Sequence, residues 1–129
     1  MPKQIIGQTG KLKASMVEEY VRLHAHVWDE VLNMIEACNI RNYSIFLKGE
    51  YVFSYYEYVG EDYAADMRKM EEDPATQRWW EYTHPCFERY GADPGSEYCA
   101  DMEQIFYFHP QHGADSSEKA KVESNEISK

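Results

Sequence analysis

The sequence predicts a single α+β domain with the ferredoxin-like split βαβ order β-α-β-β-α-β, an antiparallel sheet carrying its helices on one face. Three observations predict it. A long amphipathic stretch follows a short β-tolerant N-terminus, two alternating β-rich runs meet at a glycine turn, and a second helical stretch precedes a closing β-rich run. At 129 residues the chain can bury one real core and is too short for a second.

The first strand is placed over residues 3–13, a β-tolerant run interrupted by Gly7 and Gly10. Ser15 and Glu18 then have the S-x-x-E spacing of a capping box. Apolar positions recur at helical spacing from Val17 through Tyr20, His24, Trp28 and Val31 to Cys38, which predicts one long helix from Met16 to Cys38. NYSIFLKGEYVFSYYEYV reads as a hairpin joined at Lys48-Gly49-Glu50-Tyr51, with glycine at the first central position as a type II′ turn requires. Alternation puts Tyr43, Ile45 and Leu47 on one face and Ser44, Phe46 and Lys48 on the other.

Residues 61–72 are helical by composition. Asp73-Pro74 then breaks the helix and restarts it, with Asp as N-cap and Pro at the first helical position. The later piece carries QRWWEY and ends before Pro85. Gly91, Pro94 and Gly95 mark residues 86–100 as a loop long enough to cover something, and a final strand is expected from Met102 to His109. Residues 1–110 form the expected domain. From Gln111 the chain is almost without apolar residues, so 111–129 is expected to be a disordered tail.

This order leaves one sheet face without helices. Apolar and aromatic side chains alternate along both hairpin strands, so that face is expected to be rich in rings and to be buried in a homodimer.

A formal net charge of -10 argues against nucleic acid or an anionic membrane as partner, since both depend on clustered Lys and Arg. Three cysteines without a CxxC pair offer neither a disulfide framework nor a zinc ribbon, and read as thiols in a reducing cytoplasm. No apolar run is long enough to span a bilayer or to form a signal h-region. Aromatic residues make up 15% of the chain, eleven of them Tyr, and rings with polar tips suit a sugar as well as a subunit interface.

Tyr20, His24 and Trp28 lie at i, i+4 and i+8, which on one helix brings them to one side and within reach of one ligand. The alternative is a histidine satisfied by a carbonyl with two rings filling core volume. Trp79 and Trp80 are adjacent and point about 100° apart on a helix, so at most one is fully in the core and the other covers a pocket or an interface. His24 and His26 face opposite ways on a helix and cannot chelate, and no HExxH, GxGxxG, Walker or GxSxG pattern occurs. No metal or cofactor is expected. Proton-transfer chemistry or simple binding remains.

EEYVRLHAHVW, the NYSIFL strand, QRWW and the closing MEQIFYF together resemble the L-rhamnose mutarotase family in order and approximate spacing, over about Ile5 to Pro110. The resemblance implies a dimeric α+β barrel that interconverts the α and β anomers of L-rhamnose, a 6-deoxy-hexose, without a cofactor. It implies His24 as the proton donor and Tyr20, Tyr43, Trp79 and Trp80 as sugar-binding residues, with Trp28 a structural neighbour. The family often has Asn or Asp and then Pro just after this histidine, where the present chain has Ala25, His26 and Val27. Three readings stand beside it: a related L-fucose mutarotase, a cofactor-free oxygenase or another isomerase on the same fold, and a non-catalytic sugar-binding or dimerisation module. Tyr20 or Tyr43 is expected to orient His24 or relay a proton, and the identity of the general base is left open.

Overall fold

The computed structural model describes residues 4–89 and 98–110. Five strands run as β1 (Gln4–Leu12), β2 (Ile40–Lys48), β3 (Tyr51–Tyr58), β4 (Phe87–Glu88) and β5 (Cys99–Met102). Four helices complete it: α1 (Val17–His24), α2 (Asp29–Ala37), α3 (Tyr63–Glu72) and α4 (Pro74–Thr83). The sheet order is β2-β3-β1-β4, all antiparallel, and β5 pairs with Gly7 to Gly10 of β1. Because β3 occupies one edge of β1, β4 and β5 follow one another along its other edge. This is the predicted split βαβ arrangement, with each helical connection in two pieces.

The long first helix is a correction. It stops at His24 and restarts at Asp29, with Trp28 extended between them at φ -65 and ψ 142. The hydrogen-bond ladder tightens there: the His26 amide donates to the Leu23 carbonyl three residues back, as at a helix end. Asp29 and Glu30 fill the first turn of the new helix, where carboxylates favour a fresh N-terminus. Ser15 does not cap α1. It lies in a 3-10 turn (Ala14–Met16), and neither N-cap makes a side-chain hydrogen bond.

The hairpin follows the sequence reading. Lys48 and Tyr51 pair across a two-residue turn, and of the two turn residues only Gly49 has positive φ, +62°, as a II′ turn demands. A bulge between Arg41 and Ser44 is made at Asn42 (φ +53°), whose amide donates to Glu57 at 2.8 Å. Asp62 and Asp73 cap α3 and α4 by accepting from the amides of Ala65 and Thr76.

The C-terminal end departs from expectation. β4 interrupts the predicted loop, residues 90–97 of that loop lie outside the described residues, and the closing strand is β5 at Cys99–Met102 instead of Met102–His109. Beyond Gly7 only Gln4 to Ile6 of β1 remain, too little edge for a run of that length. Residues 103–110 therefore have no ladder, and Ile105, Phe106 and Phe108 stay exposed. The predicted tail, 111–129, lies outside the described residues.

Side chains sort by register. Ile6, Leu12, Val52, Ser54, Tyr56 and Tyr58 point under the helices and are buried. Phe46, Tyr51 and Phe53 lie on the helix-free face and are exposed, and no helix among the described residues is long and apolar enough to cross a membrane. Leu12, Tyr20, Leu23, Val31, Val52, Trp79 and Phe87 form the main core, with Tyr20 and Trp79 as its largest rings.

On α3, the Asp66 carboxylate accepts from the Tyr58 hydroxyl at 2.5 Å and the Asn39 amide at 3.0 Å. The Tyr58 bond, then the Asn39 bond, holds its pKa below the ordinary 3.8. A depressed carboxylate contributes stability that is complete above the unfolded pKa and is lost as pH falls through the folded one. Acidification from pH 7 towards 3 should therefore lower the urea midpoint of wild type more than that of Asp66→Asn. Equal losses would show that this network does not carry the acid sensitivity.

Candidate active site

α1 delivers two rings to the space over the sheet. Tyr20 is buried, and His24, the last residue of α1, is half-buried one turn further on. His24 Nδ1 lies 2.8 Å from the Tyr20 carbonyl oxygen. A carbonyl only accepts, so Nδ1 carries the proton and Nε2 is the nitrogen left for chemistry. The His24 ring sits 4.3 Å from the Tyr20 ring and meets Trp79 edge-on at 5.5 Å. Trp79, 6% exposed on α4, is also edge-on to Trp28 at 5.3 Å, and Trp28 touches Tyr82 at 5.7 Å. Trp28 thus reaches the cluster from the inter-helix bend, not from a continuous helical stripe.

Tyr43 rises from β2 on the same side of the sheet, its ring 5.1 Å from that of Tyr56. It is 44% exposed, yet burial pushes its hydroxyl up to about 12. Both hold if the ring lines a concave surface that water enters and protein surrounds. Burial raises Tyr20 as well, and Tyr43 is the largest electrostatic contributor after it. Cys99 on β5, pushed up to about 11 by burial, acts on both tyrosines. The Tyr56 and Tyr63 hydroxyls share a hydrogen bond of 2.5 Å.

Tyr20, His24 and Trp79 are therefore in ring contact, and Tyr43 is in electrostatic reach of Tyr20. Trp80 is not with them. Turned the other way on α4, it stacks on His84 at 5.3 Å, which stacks on Tyr98 at 4.7 Å. These rings border an open groove of about 600 Å³ with Glu71, Gln77 and Glu81. Of two adjacent tryptophans, one is core and one covers a groove, as their divergence on a helix requires.

Tyr56, Tyr63 and Cys99 escaped the sequence reading. Alternation along β3 could have assigned Tyr56 to the face of Tyr43, because the pairing of Ile45 with Ser54 fixes the phase. Tyr63 and Cys99 arrive from α3 and β5, and no spacing connects them to the hairpin. Ala25 and His26, the residues just after His24, are exposed in the turn that ends α1.

This arrangement can present one imidazole nitrogen to a small polar ligand among aromatic walls and hydroxyl tips. The family model of L-rhamnose mutarotase matches residues 6–108. Similar proteins include an L-rhamnose mutarotase of Listeria monocytogenes serovar 1/2a, 34% identical over 93 residues, covering 70% of this chain and 84% of that protein. Another from Lactiplantibacillus plantarum is 29% identical over 105 residues, 79% of this chain and 95% of that one. Among solved structures, an L-rhamnose mutarotase from Formosa agariphila superposes with a TM-score of 0.65 at 18% identity, over 83% of this chain and all of that one. An uncharacterized NIPSNAP domain protein from Burkholderia xenovorans gives 0.53 at 18% identity, over 83% and 98%. These two likenesses concern the fold, and a fold hosts more than one chemistry. The sequence matches are narrower, and by them the chain belongs to the L-rhamnose mutarotase family.

Proposed function

We propose that this protein is an aldose mutarotase that interconverts the α and β anomers of L-rhamnose, with His24 as its proton donor. The observation that carries the assignment of His24 is its Nδ1 bond to the Tyr20 carbonyl. That bond fixes the ring and reserves Nε2 for the sugar. Ring opening moves the O1 proton away while the C1–O5 bond breaks, C1=O1 forms and O5 takes a proton. Nε2–H of the imidazolium supplies that proton. Rotation about C1–C2 and reversal of the same steps deliver the other anomer. An acid whose ordinary pKa lies near neutrality suits this task. Tyr20 and Tyr43 offer hydroxyls to the sugar, and Trp79 offers a ring edge to its apolar face. Trp80, around the helix, is assigned to the substrate by family resemblance alone.

Saturation transfer between anomeric proton signals at equilibrium tests the function. Wild type should accelerate exchange of L-rhamnose more than of L-fucose. Faster exchange of L-fucose would reassign the substrate, and acceleration of neither would refute the reading.

We further assign the helix-free face to a homodimer. Phe46 and Phe53 pair directly across the hairpin on that face at 63% and 39% exposure, with Tyr51 and Met102 also exposed. Its carboxylate Glu57 already accepts from Tyr55 at 2.5 Å and Asn42 at 2.8 Å, which lowers the penalty of covering it. Wild type should sediment as a dimer and Phe46→Asp as a folded monomer. A monomeric wild type, or a Phe46→Asp variant that remains a dimer, would contradict this interface. The three free thiols, Cys38 and Cys86 of them buried, fit a reducing cytoplasm.

A further inference from the structure

Opening a hemiacetal needs a proton acceptor at O1 together with the donor at O5. His24 can present only Nε2, because Nδ1 is engaged by the Tyr20 carbonyl. A second group must therefore act. The nearby hydroxyls of Tyr20, Tyr43 and Tyr56 are all shifted upward, chiefly by burial, and hold their protons.

The strands supply carboxylates. Among the described strands these are Glu57, Glu88 and Asp101. Glu57 pairs opposite Ile5 and Glu88 opposite Lys11, which puts both on the helix-free face. Each is also occupied, Glu57 by Tyr55 and Asn42 and Glu88 by an ion pair with Lys11 at 2.9 Å. On the helix side, Asp66 of α3 is taken up by Tyr58 and Asn39.

Asp101 differs in place and in partners. It pairs opposite Gln8, whose other neighbour across the sheet is Ser54, so it shares the face of Ser54 and Tyr56 beneath the helices. Its Oδ1 accepts from Gln8 Nε2 at 2.8 Å, and Oδ2 makes no hydrogen bond among the described residues. Asp101 is exposed on the face that carries Ser54 and Tyr56, and its charge is a minor contributor to raising the Tyr56 hydroxyl.

The geometry points to Asp101 as the general base of ring opening, held in orientation by Gln8 and paired in function with His24. Oδ2 takes the proton from O1 as the C1–O5 bond breaks, while Nε2–H of His24 protonates O5. Both protons return when O5 adds to the opposite face of C1. This assignment rests on the mutarotase reading. It adds to that reading a residue which neither spacing nor resemblance had singled out.

The test is anomer exchange of L-rhamnose by wild type, Asp101→Asn and Asp101→Glu, each with a ligand-observed NMR titration and a thermal melt. Asparagine keeps the acceptor for Gln8, so melting and sugar binding should match wild type while the saturated exchange rate falls about 10²-fold. Glutamate restores the carboxylate and should recover part of that loss. An Asp101→Asn enzyme with the wild-type rate, or one whose loss follows weakened sugar binding, overturns the assignment while wild-type activity keeps the mutarotase reading intact. A wild type without exchange overturns both.

Discussion

Trp79→Ala is expected to lose about 3–5 kcal/mol of folding stability, the range for truncating a buried tryptophan. Trp79 is only 6% exposed, and its ring packs edge-on against Trp28 and His24. It bridges α4 to the two helices on either side of the Trp28 bend, so the void left behind cannot close by moving one element. Against the roughly 5–15 kcal/mol that holds a domain together, such a loss leaves the variant marginal or unfolded. Trp80→Ala is the internal control. Its ring borders an open groove and stacks on His84, so truncation should lower the urea midpoint far less. Equal losses at the two positions would contradict the division of the pair into one core and one groove residue.

His24→Gln is expected to lower anomer exchange by about 10² to 10⁴-fold, the usual contribution of a positioned acid. The side chain is half-buried and its bond to the Tyr20 carbonyl is local, so the fold should persist. Glutamine can still donate to that carbonyl but offers no ring nitrogen to protonate O5. A folded variant with wild-type exchange would return His24 to the role of a packed core histidine. Loss of folding would do the same.

Much of the fold was legible because it rests on local signals. Gly49 specified the hairpin turn, Asp73-Pro74 specified the restart of α4, and β alternation in β2 matched the observed faces. The break between α1 and α2 was hidden because Trp28 continues the apolar spacing across it. Periodicity records which residues meet the core, and Trp28 meets it from an extended backbone. The closing strand was misplaced for a different reason: MEQIFYF has β propensity, but strand pairing also needs an edge, and β1 has little left beyond Gly7.

The site divides in the same way. Tyr20 and His24 were readable as a contact from i, i+4 spacing on one helix, and the contact is observed. That Trp79 faces His24 while Trp80 faces His84 depends on how α4 rolls against α1, which is a tertiary choice. Asp101 was invisible for the related reason that its face is set by pairing opposite Gln8, across most of the chain.

The most direct measurement is saturation transfer on equilibrated L-rhamnose with wild type and His24→Gln side by side, sugar binding being monitored in the same samples. Wild type should accelerate α–β exchange well beyond the buffer rate, and the variant should bind the sugar yet exchange it little faster than buffer. Exchange at the buffer rate with wild type, or undiminished exchange with the variant, would contradict the proposal that His24 drives anomer interconversion in this protein.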